Sequence, residues 1–238
     1  MTHLIRAELR SLRATPSIRS VAIAAVAIAA LVAAVGTGDQ LTDVLHAETI
    51  EMTLFTLVAG AIAGAGDFQH GTVVLTLLAA PRRPAAAAAK LVATAILGAG
   101  IAAAVLGTTW AVGALKHGGM AGGTGVGELV LGQLVLGGLT AAFGVGVGLA
   151  LRNLPAALGA VFAVALVIPL VFDAKQSLAD EIRFLPYGEL SAAALALGSA
   201  PADYGPQLAT LPAGLVLLGW TTLVSFLGLS RFALQDVS

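Results

Sequence analysis

The sequence predicts an all-α, polytopic membrane protein with six transmembrane helices, an N-terminal interfacial amphipathic helix and a short cytoplasmic helix between the second and third spans. Hydrophobic residues make up 58% of the 238 residues and charged residues only 11%, whereas about a quarter of the residues of soluble domains are charged. A helix needs about 20 apolar residues to cross the hydrocarbon core. Five long segments without Asp, Glu, Lys, Arg or His meet or approach this length: 20–38, 91–115, 129–151, 153–172 and 204–230.

The first predicted element is an amphipathic helix over residues 2–15. Three apolar residues recur at the spacing of one helical face, and three arginines follow the same spacing one position later. The helix is expected to end at Thr15, because Pro16 disfavours helix in the residue before it. It is expected to lie on anionic headgroups; the alternative is a basic N-terminus that only orients the chain. The apolar residues are Ile5, Leu9 and Leu12, and the arginines are Arg6, Arg10 and Arg13.

The topology depends on whether residues 49–66 cross the membrane. Their uncharged part, 52–66, is short for a span, so Glu51 is expected to reach the outer headgroups. If the segment crosses, nine of the twelve Lys and Arg residues lie in the cytoplasm, and if it does not, seven do. The positive-inside rule therefore favours six spans with both termini cytoplasmic. We expect the membrane to be a bacterial plasma membrane. The predicted spans are about 20–38, 49–66, 90–115, 128–151, 153–172 and 206–230.

The longest outer segment, 173–205, contains an uncharged stretch over 190–202 that is too short to span. A re-entrant or interfacial helix and a helix packed on the outer ends of the bundle are both compatible with such a stretch.

Charge-free spans exclude several classes of membrane protein. Ion-coupled transporters, proton pumps and intramembrane enzymes keep ionisable groups at membrane depth for their function. No Gly-Lys dipeptide occurs in the chain, so the phosphate-binding P-loop is absent. We therefore expect no catalysis, no bound cofactor or metal and no nucleic-acid partner in this chain, and any work across the membrane to be powered by another protein.

The second cytoplasmic element is the loop over residues 67–89. Thr72 is suited to begin a two-turn helix that ends before Pro81, and Pro84 is suited to begin the next span. The short helix carries an apolar face on a segment that faces the cytosol, which favours a protein partner. Its apolar residues are Val73, Val74, Leu77 and Leu78.

This loop resembles the signature loop of type-2 ATP-binding-cassette (ABC) permeases, and the order of elements along the whole chain is similar to theirs in outline. The chain departs from the pattern in three places: Asp67 stands where Glu is commoner, Gln69 stands where a basic residue is frequent, and the loop after the fourth span is reduced to Arg152-Asn153. The matching residues are Asp67, Gly71-Thr72, Leu77-Leu78, Pro81-Arg82-Arg83 and Lys90.

The resemblance implies that the loop is a coupling helix that docks on a separate nucleotide-binding subunit, which would hold ATP and Mg. It also implies a second membrane subunit, in a homodimer or a heterodimer. Anchoring to lipid headgroups is an alternative role for Arg82 and Arg83, and a membrane scaffold that recruits a cytosolic partner without transport is an alternative function. The implied coupling residues are Asp67, His70, Gly71, Thr72, Val73, Val74, Leu77, Leu78, Pro81, Arg82 and Arg83.

Few polar residues lie within the spans, and those present are candidates for a substrate path. Hydroxyl groups in helices commonly bond their own backbone instead. A weakly polar path suits an amphipathic or lipid-like substrate better than a multiply charged one. We expect an exporter of such a substrate or of a drug. Two small-residue motifs, Gly60-x-x-x-Gly64 and Gly144-x-Gly146-x-Gly148, indicate close helix packing within the chain rather than a dimer contact. The candidate path residues are Gln133, Thr140, Trp220, Thr221 and Ser225.

The predicted topology can be tested with single cysteines, since the chain has none. Cysteine at Thr42 is expected to react with an impermeant thiol reagent in intact cells, whereas cysteine at Ser238 is expected to react only after the membrane is permeabilised. Labelling of Ser238→Cys in intact cells, or protection of Thr42→Cys under conditions that label an external control, would contradict six spans.

Overall fold

The computed structural model describes residues 2–36, 41–69, 71, 83–117, 126–167 and 210–233, and all regular secondary structure in these ranges is helical. The predicted all-α membrane fold is confirmed. Four described helices are long and apolar enough to cross a membrane: Pro16–Val35, Ala85–Lys116, Gly127–Leu151 and Leu211–Phe232. The elements are α1 (Thr2–Ala14), α2 (Pro16–Val35), α3 (Leu41–Gln69), α4 (Arg83–His117), α5 (Val126–Leu151), α6 (Leu154–Phe162), continued by a π-helix over Ala163–Val167, and α7 (Thr210–Ala233).

Several helices extend beyond the spans predicted from charge-free runs. α3 begins at Leu41 rather than at residue 49. α4 begins at Arg83, next to Pro84 as predicted, and so extends beyond the span predicted over 90–115. Charges limit the part of a helix that lies in hydrocarbon, but they do not stop the helix, and the alanines after Pro84 favour helix strongly. The predicted outer segment 173–205 and the predicted helix before Pro81 lie outside the described residues.

The N-terminal helix α1 forms as predicted, and its apolar face packs on the protein. Leu12 is 3% exposed, and Ile5 and Leu9 pack with it against a cluster that includes Leu149 of α5 and Phe232 of α7. The three arginines of the opposite face are exposed. α1 therefore lies against the bundle and keeps its basic face open to its surroundings.

Contacts at the helix ends show that the long helices alternate in direction. Lys90, near the start of α4, forms an ion pair with Asp67, near the end of α3. Arg231, near the end of α7, donates to the backbone oxygen of Ala150 at the end of α5, at 2.9 Å. We call this end of the bundle the basic end. At the opposite end, Lys116 of α4 donates to the carbonyl that follows α2.

Helix α5 is the most buried of the four apolar helices and touches α3, α4 and α7. Its glycines allow close backbone approach on different faces. A Cβ atom at Gly148 would lie 2.7 Å from the backbone nitrogen of Ala65 in α3, and one at Gly146 would lie 2.9 Å from the backbone nitrogen of Ser225 in α7. The two glycine motifs predicted to pack within the chain do so, since Gly144 and Gly148 face Gly60 and Gly64.

Alanine substitutions distinguish a glycine that lies against a neighbouring helix from one whose added Cβ atom would meet no other atom. Gly64→Ala would place a Cβ atom 2.5 Å from the backbone oxygen of Val145 and should lower the free energy of unfolding by about 1–3 kcal/mol. At Gly100 an added Cβ meets nothing within 4 Å, so Gly100→Ala should raise stability by up to about 1 kcal/mol through helix propensity. Unfolding of both variants by a denaturing detergent measures this difference, and equal effects would contradict the α3–α5 contact.

Candidate functional site

Three helices meet around one buried lysine at the basic end. The Lys90 ammonium lies 3.0 Å from Oδ2 of Asp67 and 3.2 Å from Oε2 of Glu8 in α1, and Lys90 is only 8% exposed. Burial of an ammonium costs free energy unless charged partners surround it. The two carboxylates supply this compensation and leave the cluster with one net negative charge. We call Glu8, Asp67 and Lys90 the lysine junction, which joins α1, α3 and α4.

Aromatic and cation–π contacts extend this end of the bundle towards α5 and α7. The rings of Phe68 in α3 and Phe232 in α7 meet edge to face, with centroids 6.3 Å apart and planes at 86°. The guanidinium carbon of Arg152 lies 5.9 Å from the centroid of Phe68, within the range of a cation–π interaction. The end of α3 is therefore held on both sides, by Lys90 through Asp67 and by the α5–α6 link through Phe68.

The α5–α6 link is the pair Arg152-Asn153, as short as the sequence indicated. Arg152 adopts a left-handed backbone conformation with φ of 54°, which costs free energy in a residue with a Cβ atom. The side chain of Asn153 caps α6 by accepting from the backbone nitrogen of Ala156 at 3.0 Å. The Arg152 guanidinium donates to the backbone oxygen of Arg231. These contacts hold a tight turn that brings α6 back along α3.

The structure describes both ends of the predicted coupling loop. Asp67 takes part in the lysine junction, and Arg83 is the first residue of α4. Gly71 has φ of +67°, a conformation that glycine adopts without penalty, and its N–H donates to the oxygen of Phe68 at 3.4 Å. The remaining predicted coupling residues lie outside the described residues: His70, Thr72, Val73, Val74, Leu77, Leu78, Pro81 and Arg82.

Two of the five candidate path residues lie in the α3–α5 interface. The Gln133 side-chain nitrogen donates to Oγ1 of Thr49 at 2.9 Å, and the hydroxyls of Thr140 and Thr56 are 2.7 Å apart. Gln133 and Thr140 are almost fully buried, so in this structure they fix the packing of α3 on α5. Their partners Thr49 and Thr56 were not predicted, because the register of two helices across an interface is not encoded in either helix alone.

The other candidate path residues lie on α7, and two of them line a groove. Thr221 and Ser225 contribute to an open groove of about 410 Å³ between α4, α5 and α7. Trp220 is 36% exposed and is not among the lining residues. The groove is mostly apolar, with hydroxyls contributed by one helix. Its volume lies within the range of sites that bind small organic ligands, which commonly measure about 300–1,000 Å³.

Comparison with known proteins gives no assignment. No protein-family model matches the chain, and no curated protein is similar to it at a significant level. The features of this chain that bear on its function are the lysine junction, the loop that it borders and the groove.

Removal of the junction cation should loosen α1. Lys90→Met keeps the length of the side chain but leaves two facing carboxylates without their cation, so trypsin should cut after Arg10 and Arg13 about tenfold faster, the change that a loss of about 1.4 kcal/mol in α1 docking produces. Mass spectrometry of the N-terminal peptides released from the detergent-purified chain measures the rate.

Lys116→Met is the matched control, because Lys116 lies at the opposite end and bonds a backbone carbonyl. Equal cleavage of the native chain, the control and Lys90→Met would show that the ion pairs do not hold α1 in place.

Proposed function

We propose that the chain is the membrane-spanning permease subunit of an ABC transporter and exports an amphipathic or lipid-like substrate. A separate cytosolic subunit binds ATP and Mg and supplies the energy, and a second membrane subunit, identical or different, completes the pathway. In this proposal α2 to α7 are the six spans, and the basic end faces the cytoplasm with both termini.

The observation that carries the proposal is the position of the lysine junction. Asp67 and Lys90 stand on either side of the loop over residues 70–82, and their ion pair joins the end of α3 to the start of α4. A partner that pushes on the loop would therefore move both helices together. Glu8 adds α1 to the same unit, so one displacement reaches three helices.

The packing around α5 supports a rigid-body response. α3 is bound to α5 by close glycine contacts and by two buried side-chain hydrogen bonds. Hydrogen bonds between membrane helices contribute about 0.6 kcal/mol each on average, and the close backbone contacts add dispersion energy. α3, α4 and α5 would thus move as one body when an ATPase displaces the loop, which is how a rocking motion could expose a substrate path alternately to each side.

The proposed energy source accounts for the lack of ionisable groups in the central parts of α4 and α5. Between Lys90 and Lys116, α4 contains no charged residue, and α5 contains none after Glu128. A transporter that couples to protons or sodium needs titratable or cation-binding groups at this depth. A subunit that receives its energy mechanically at one end does not.

The coupling role can be tested at Leu77, which lies outside the described residues and which the sequence places on the apolar face of the loop helix. Leu77→Asp would bury a carboxylate in the contact with the ATPase, at a cost of several kcal/mol. Since about 1.4 kcal/mol is a tenfold change in affinity, a nucleotide-binding subunit that co-purifies with the native chain should be lost, together with its stimulated ATP turnover. Purification from native membranes, peptide identification and an ATPase assay measure both effects.

Arg82→Ala is the control, because loss of a charge at the rim mainly changes the association rate, and it should retain the complex. A complex that survives Leu77→Asp would contradict docking through this loop. A bound partner without ATPase activity would favour the scaffold function, and uptake by the isolated chain in liposomes, driven by a pH or sodium gradient, would favour a secondary transporter.

A further inference from the structure

The groove between α4, α5 and α7 contains an unused hydrogen-bonding group. Three hydroxyls line it. Those of Thr221 and Thr222 donate to the backbone oxygens of Leu217 and Leu218, each at 2.7 Å. The hydroxyl of Ser225 is buried, the residue is 8% exposed, and this oxygen has no hydrogen-bond partner among the described residues. A buried hydroxyl without a partner costs free energy, which a ligand with an accepting oxygen would recover.

The position of Ser225 results from the close contact of α7 with α5. A Cβ atom at Gly146 would lie 2.9 Å from the backbone nitrogen of Ser225 and 3.0 Å from its Cα atom. Because Gly146 has no side chain, the α7 backbone sits deep against α5 and Ser225 lies on the floor of the groove. Leu218 and Phe226, which are 51% and 66% exposed, stand on the outer side. The groove therefore opens sideways at the periphery of the helices.

The depth of the groove matches the glycerol and upper-chain region of one leaflet. Leu91, which follows Lys90, and Leu229, which lies just before Arg231, line the groove near the basic end. At about 1.5 Å per residue, Ser225 lies about 9 Å along the α7 axis from Arg231. Arg231 is exposed and donates to Ala150, so it stands on another face of α7 and marks the depth of the headgroups. Ester carbonyls of a phospholipid lie just below its phosphate, which is the depth of Ser225 relative to Arg231.

We propose that this groove binds one acyl chain of a glycerophospholipid from the leaflet at the basic end. The chain extends from Ser225 away from the basic end, along Leu139 and Ala142 of α5 and Leu218 of α7. An ester carbonyl accepts a hydrogen bond from the Ser225 hydroxyl, and the phosphate lies at the depth of Arg231. The proposal rests on the membrane-spanning arrangement above, but not on the ATPase partner, because the groove is formed by the chain alone.

The test uses the purified full chain, without an ATPase, in nanodiscs that contain phosphatidylglycerol with a diazirine in one acyl chain. After illumination, peptide mapping by mass spectrometry should find labels concentrated on the lining residues at and beyond the depth of Ser225, which are Ala95 and those within 139–142 and 218–222. Ser225→Ala should reduce this labelling about two- to tenfold, the effect of one net hydrogen bond. Ala142→Phe fills the groove and should reduce the labelling further, and Ala95→Phe tests the same point from another wall if the first variant does not fold.

Ala103→Phe is the matched control. Ala103 is exposed on α4, about 12 Å along the axis from Ala95 towards the opposite end, so its substitution should leave labelling of the groove unchanged. The proposal would be overturned if labels were spread evenly over all exposed apolar faces and Ala142→Phe left the labelling unchanged. The absence of labels from Ala95 and from segments 139–142 and 218–222 would also overturn it, since this result would show that protein covers the groove. Either result leaves the ATPase proposal untouched, since Leu77→Asp tests that separately.

Discussion

The close backbone approach of α5 to its neighbours is the constraint on which the rest of the bundle depends. In hydrocarbon, helices gain nothing from hydrophobic burial against one another, so association relies on dispersion and on interhelical hydrogen bonds. Gly144 and Gly148 place α5 directly on α3, and Gly146 places it on α7. The same contacts set the depth of Ser225 and the register in which Gln133 meets Thr49. Replacement of these glycines would change packing, polar pairing and the groove together.

The basic end is organised by a different physical principle. At this end of the apolar helices the cost of desolvating a charged side chain is lower. Ion pairs and cation–π contacts, instead of glycines, hold the helix ends together here. Lys90 joins α1, α3 and α4, and Arg152 joins α3 with the ends of α5 and α7. Both sets of contacts converge on the last turn of α3, next to the loop that resembles a coupling helix. A force applied to that loop would thus act on a connected set of helix ends.

The groove and the lysine junction serve separate roles in the proposed transporter. The junction lies at the end of the bundle and would transmit force, whereas the groove lies between α4, α5 and α7 and contains the buried Ser225 hydroxyl. α5 connects them, because Leu149 packs with the cluster under α1 and Gly146 forms the floor beside Ser225. Lipid bound in the groove would therefore touch the same helix that holds α3 in place.

Local composition and periodicity were enough to predict the helical fold, the apolar segments, the amphipathic α1, the two-residue α5–α6 link and the packing use of the glycine motifs. Hydrocarbon tolerates only helices with internally satisfied backbones in a chain of this kind, which is why these features can be predicted locally. Three features depend instead on how the helices pack: the pairing of Lys90 with both Asp67 and Glu8, the hydrogen bonds of Gln133 and Thr140 across α3 and α5, and the position of Ser225 in a groove. Such pairings depend on how helices that are far apart in the chain are rotated and shifted against one another. Many rotations and shifts would pair a polar or small residue with another one, so the sequence of each helix does not specify which pairing forms.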